Sequence, residues 1–139
     1  MSEKNIEIVR RFLKAVEERD LPGVLSAYDE DVVIREAESL PYGGEFHGHE
    51  GAQRHALGAL EVWGDLQPPG ERSLNAKFLD AGDDYVIALW RQRGVSSDAE
   101  KFDAPVVSVY KIRGGKIVES QMFHADTKAL VQFLAGVRK

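Results

Sequence analysis

Asp31-Val32-Val33-Ile34-Arg35-Glu36 alternates apolar and polar residues with a period of two, the pattern of a strand with one buried face. Val32, Ile34 and Glu36 share that face, so a carboxylate continues an apolar stripe toward the core or a pocket. Burial disfavours the charged form of a carboxyl group. Glu36 is therefore a candidate proton acceptor with a raised pKa, unless a nearby cation reverses the shift. A strand-end glutamate twisted back into water is the plain alternative.

Upstream of this strand, Ile6, Val9, Phe12, Leu13 and Val16 recur at helical spacing over 5–19, while Glu7, Arg10, Arg11, Lys14 and Glu18 take the other side. Asp20 can cap a second, short helix whose first turn accommodates Pro22, because an N–H at that position has no intrahelical partner to lose. Leu21, Val24, Leu25 and Tyr28 form its buried face. Downstream, 37–46 carries Pro41, Gly43 and Gly44 and reads as a loop that can rim a pocket beside Glu36. A helix follows over 49–63, with Ala52, Ala56, Leu57, Leu60 and Trp63 apolar, and Gln67-Pro68-Pro69-Gly70 ends it.

Beyond that point the period becomes two. Leu74, Ala76 and Phe78 alternate, and an apolar run over 85–90 follows the turn Gly82-Asp83-Asp84. Residues 94–100 read as a hairpin loop, 104–112 as a strand, and Arg113-Gly114-Gly115-Lys116 as a tight turn needing positive φ before a partner strand over 117–125. Asp126-Thr127 can cap a last helix with Ala129, Leu130, Phe133, Leu134 and Val137 on its apolar face. Helices crowded into the first half and strands into the second imply an α+β fold: one strongly curved, mainly antiparallel sheet with the N-terminal helices on its concave face. The strands carry apolar residues on both faces, so a homodimer through the uncovered sheet face is expected.

With 139 residues and 43% hydrophobic content, the chain suits a single domain spanning 1–139 with a real core. The net charge of −5, with scattered basic residues, argues against nucleic acid and anionic membrane as partners. No apolar run is long enough to span a bilayer, and Met-Ser-Glu-Lys-Asn is not the start of a signal peptide, so a cytoplasmic location is expected. The absence of cysteine leaves any chemistry to carboxylates, histidines, hydroxyls and arginines. His47, His49, Glu50 and His55 lie close in sequence, yet a helix through them sends the side chains to different faces; no metal and no cofactor are expected.

The order of these elements, together with Ile8-Val9-Arg10-Arg11-Phe12-Leu13-Lys14-Ala15-Val16, Asp20-Leu21-Pro22-Gly23-Val24, Phe46-His47-Gly48-His49-Glu50-Gly51 and Phe102-Asp103-Ala104-Pro105 leading to Gly114-Gly115-Lys116-Ile117, resembles the nuclear transport factor two-like superfamily, in its ketosteroid isomerase-like and SnoaL-like polyketide cyclase branch. The resemblance covers nearly the whole chain and implies a cone-shaped domain around a deep apolar pocket. It places Glu36 where that family carries its catalytic base, Phe12 at the first-helix tyrosine position without the hydroxyl, and Ser108 at the oxyanion-hole aspartic acid position. His124 falls inside the cone on the face of Met122 and Ser120, and Asp103 at an acidic position, where it would be a second pocket carboxylate. Phe123-His124-Ala125-Asp126 shifts the last carboxylate by one position from the epoxide-hydrolase pattern, so Asp126 reads as the helix cap.

The resemblance thus implies a small-molecule isomerase or cyclase that takes a proton next to a carbonyl of a small hydrophobic ligand, without cofactor. Glu36 would be the base and His124, with Ser108 or Tyr110, would stabilise the oxyanion; Tyr42 and the loop over 41–44 would gate access. Phe12, Tyr28, Trp63, Trp90, Tyr110 and Met122 would line the pocket. A non-catalytic ligand-binding or dimerisation module of the same fold is the competing reading, since Phe12 and Ser108 stand at two donor positions.

Overall fold

The apolar stripe of the N-terminal segment produces helix α1 (Ser2–Glu17), which buries Val9, Phe12 and Leu13 in a computed structural model describing residues 2–137. Asp20 then caps α2 (Leu21–Ala27) by accepting a hydrogen bond from the Gly23 amide at 3.1 Å, with Pro22 in the first turn. Strand β1 (Tyr28–Glu36) buries Val32, Ile34 and Glu36 on alternate positions, as its sequence pattern requires.

Two features depart from the sequence expectation. The segment expected as loop over 37–46 ends in a short strand, β2 (Gly44–His47), which pairs antiparallel with β1 so that Glu36 faces Gly44 and Val33 faces His47. Glycines with positive φ bound it on both sides, Gly44 at 118° and Gly48 at 69°, so its composition is that of a turn while its partner strand makes it extended. The alternation at Leu74 and Ala76 does not start a strand, because Asn75 between them has φ 51°. Leu74 is instead held by its amide on Glu17 and its carbonyl on the Arg91 amide.

Helix α3 (Gly48–Trp63) runs into a 3-10 turn at Gly64–Leu66, and a second turn at Pro69–Glu71 leads to β3 (Lys77–Gly82). The long strands β4 (Tyr85–Val95), β5 (Lys101–Arg113) and β6 (Lys116–His124) complete one curled, open sheet in the order β2-β1-β6-β5-β4-β3. All neighbours are antiparallel except β1 with β6. The β5–β6 turn uses Gly114 and Gly115 at φ 58° and 78°. Asp126 accepts from the Ala129 amide at 2.9 Å and so caps α4 (Thr127–Val137).

The architecture is α+β with a mostly antiparallel sheet. Helix α1 packs on β3 and β4, and α3 on β1 and β2. One buried cluster gathers Val9, Phe12 and Tyr28 with Ile34, Tyr110 and Ile112; a second joins Tyr42, Trp63, Leu130 and Phe133 near α4. No helix among the described residues is long and apolar enough to cross a membrane.

Candidate active site

Glu36 ends β1 with its side chain 3% exposed, and three donors meet its carboxylate. His124 Nε2, from the end of β6, lies 2.9 Å from Oε1; His55 Nε2, from the middle of α3, lies 3.4 Å from Oε2; and the Ala37 amide reaches Oε1 at 3.2 Å. Burial pushes the Glu36 carboxyl upward and is the largest single influence. The hydrogen bonds and charges of His124 and His55 together outweigh it and hold the group below its ordinary value of 4.5. The expectation of a raised pKa is thereby corrected, by a pair of histidines that supply the reversing partners. An ionised carboxylate only accepts, so both histidines donate through Nε2.

The carboxylate forms part of the wall of a cavity of about 230 Å³ enclosed by α1, α2, α3 and the inner face of the sheet. Phe12, Tyr28 and Tyr110 form one side, with ring centroids 5.1 Å apart for Phe12 and Tyr28 and 5.7 Å for Phe12 and Tyr110. Tyr42, Trp63, Trp90 and Met122 also line it. Burial pushes all three buried tyrosines up and keeps them protonated, with the Glu36 charge adding to the shift at each. Val16, Leu57 and Leu60, each more than a third exposed, form an apolar rim.

Other sequence candidates stand elsewhere. The Ser108 hydroxyl is fully buried, accepts from Trp90 Nε1 at 2.8 Å and lies behind that indole, outside the cavity lining. Ser108 thus stands off the cavity wall, with its hydroxyl between Trp90 and Tyr110. Asp103 sits on the opposite parity of β5 and pairs with Arg91 in solvent at 2.6 Å, which corrects its reading as a pocket carboxylate. His124 lies inside the fold, with its Nε2 engaged by Glu36, and it stands behind that carboxylate, outside the cavity lining. The loop expected to gate access is pinned: Leu40 and Gly43 amides bond to the Ala37 and Leu40 carbonyls, and Tyr42 is 6% exposed and accepts from Trp63 Nε1 at 2.8 Å.

The histidine group disperses. His47 meets Glu45, His49 meets the Tyr28 carbonyl, and His55 turns to Glu36. His55 is the site residue, in contact with Glu36, that the sequence reading left without a role. Its signal is helical spacing, since it lies three residues from buried Ala52 and four from Ala59 on the face of α3 that meets the sheet. Arg19, Arg72 and Gln92 also line the cavity, and nothing in their local sequence marks them.

Comparison with known families adds to this geometry. The SnoaL-like domain model matches residues 9–120. The chain belongs to the SnoaL-like domain family. Among solved structures, this SnoaL-like domain is similar to an NTF2-like protein of unknown function from Burkholderia pseudomallei K96243, with 25% identity, TM-score 0.77, and 96% of this chain and 98% of that chain covered. It is also similar to TerC co-crystallized with polyporic acid, with 22% identity, TM-score 0.80, and 95% and 98% covered. A putative polyketide cyclase from Pseudomonas putida KT2440 matches with 18% identity, TM-score 0.68, and 92% and 96% covered. The two likenesses below 25% identity speak for the fold alone. No curated relative matches the sequence.

Proposed function

We propose that this SnoaL-like domain is a cofactor-independent acid–base enzyme, an isomerase or cyclase, that removes a proton next to a carbonyl of a small, largely apolar compound. The observation that carries the reading is Glu36: an ionised carboxylate in the wall of an apolar cavity, aimed by two histidines from different elements. Oε1 takes two donors, while Oε2 holds only the longer contact to His55 and keeps a lone pair for a substrate C–H. Tyr42, protonated and lacking an acceptor for its own O–H among the described residues, is the hydroxyl that would donate to the developing oxyanion.

A carboxylate held below its ordinary pKa is a weaker base than a desolvated one, so it suits a comparatively acidic C–H, flanked by two carbonyls or by a carbonyl and an aromatic ring. The named cyclase among the structural neighbours is in keeping with that class. The test is hydrogen–deuterium exchange at C1 of 2-tetralone, followed by proton NMR. Glu36→Gln should return the rate to that of buffer while leaving the fold intact; unchanged exchange in that variant rejects the role.

The competing reading, a binding module without chemistry, is favoured by Phe12 in place of a hydroxyl donor and by the engagement of Ser108 with Trp90. It would give ligand binding with no exchange in the wild-type protein. We further propose that two copies associate through the outer sheet face, where Leu89, Val107 and Phe123 form one apolar row across β4, β5 and β6, with Leu89 and Phe123 38% and 50% exposed.

A further inference from the structure

The polar groups of the cavity divide into two sets, and only one of them belongs to the acid–base site. The second set lies where α3 ends. Arg19 has φ 57°, a conformation that a residue with a long side chain rarely adopts, and its guanidinium reaches the Gly64 carbonyl at 3.3 Å and the Gln67 carbonyl at 3.4 Å. Arg72 Nε donates to the same Gln67 carbonyl oxygen at 2.9 Å. Arg19 Nη2 also donates to Gln67 Oε1 at 3.2 Å, so two guanidinium groups share the Gln67 carbonyl and meet only neutral acceptors, and both line the cavity. Among the described residues neither forms an ion pair, and no acceptor meets the terminal N–H groups of Arg72. Burial and the neighbouring Arg72 charge push the Arg19 pKa down, and the Asp65 carboxylate opposes them only in part. The nearby carboxylates do not pair with either arginine: Glu17 faces the Leu74 amide at 2.7 Å, and Asp65 is exposed.

Gln92 supplies the third group. It is 7% exposed, lines the cavity, and among the described residues nothing hydrogen-bonds its side-chain amide. No fully enclosed polar atom lacks a partner, so that amide opens on the void. Strand alternation sets it between Trp90 and Gly94, and the adjacent Arg93 carbonyl accepts from Gln67 at 2.8 Å, which ties it to the arginine pair. An amide that faces a cavity without a protein partner is free to bond a group seated there.

We propose that Arg19, Arg72 and Gln92 form a carboxylate-binding subsite, and that the natural ligand is an amphipathic acid, with an apolar body in the cavity and an anionic end at these residues. This deepens the proposed function and rests on it for what lies at the other end: His55 and Gly64 are about 13 Å apart along α3 at about 1.5 Å per residue, so the acid–base site meets a part of the ligand remote from its charge. The guanidinium fork matches a carboxylate in two parallel hydrogen bonds, and the apolar side chains that line the cavity strengthen them by lowering the local dielectric.

Isothermal titration with biphenyl-4-carboxylate and biphenyl-4-carboxamide, at a pH near neutrality, tests the subsite without requiring turnover. The wild-type protein should bind the carboxylate about tenfold or more tightly than the amide. Arg72→Gln should remove most of that preference, Arg72→Lys should keep part of it, and Gln92→Leu, which leaves the arginine framework in place, should weaken the carboxylate selectively. Wild-type protein that takes both compounds equally, or neither, overturns the proposal; so does a folded Arg72→Gln variant, by near-ultraviolet circular dichroism, that keeps the full preference. Glu36→Gln separates the two readings: carboxylate preference with lost exchange supports both, and carboxylate preference with retained exchange sinks the catalytic role alone.

Discussion

Replacing His124 with leucine removes the shorter side-chain hydrogen bond on Glu36 and leaves a buried carboxylate with His55 and one backbone amide. The two side chains are 4% and 3% exposed, so the imidazole bond is not replaced from bulk solvent. A hydrogen bond to a charged group contributes roughly 1.5–3 kcal/mol. The variant should therefore lose about 2 kcal/mol near neutral pH, a fall in Tm of about 5–10 °C for a chain of this size. Removing the larger of the two histidine contributions lets burial dominate, so the Glu36 pKa should rise. In the wild-type protein, a folded pKa below the ordinary 4.5 gives stability that is fully present above that value and is lost as pH falls through the lowered one. The stability gap between the two proteins should accordingly be widest above pH 4.5 and narrow in acid. Urea unfolding at about pH 7 and about pH 3.5, with a carbon-detected NMR titration of Glu36, measures both effects. A gap of equal size at the two pH values, or a variant in which Glu36 titrates no higher than in wild type, would refute the assignment of His124 as the group that holds this carboxylate ionised.

The same lowered pKa places the acidic limb of any Glu36-dependent exchange below pH 4.5, because the base stays ionised until then; a limb centred well above that value in a pH–rate profile contradicts the histidine-held carboxylate. Gly94→Ala would set a Cβ 2.7 Å from Trp63 Cζ3, on a ring 4% exposed and stacked on Phe133, and should lose about 1–3 kcal/mol in urea unfolding together with ligand affinity, since the displaced indole also holds Tyr42. A variant as stable as wild type would show that this wall yields freely. Phe123→Lys places a charge at the exposed β6 end of the apolar outer row and should convert a dimer to a monomer in sedimentation velocity, with the thermal stability of the protomer little changed; a dimer that persists would place the interface elsewhere.

Local patterns were enough for much of this molecule. Period two put Val32, Ile34 and Glu36 on one buried face, helical spacing gave α1 and α3, and Asp20, Asp126 and the Gly114-Gly115 turn act where their chemistry is favourable. Each depends on backbone geometry within a few residues, which composition and order express directly. Contacts between distant segments were not legible in that way. Strand β2 is extended because β1 lies beside it, Ser108 is masked by an indole from the neighbouring strand, and Asp103 faces solvent because the strand runs regularly through it. The largest change concerns Glu36 itself. Its own strand determines that it is buried, and burial alone would raise its pKa; His55 and His124, 19 residues downstream in one case and 88 in the other, reverse the sign. A pKa answers to every charge and dipole within a few ångströms in space, whatever their separation along the chain, so the acidity of this group could be decided only once the sheet had curled and the helix had closed over it.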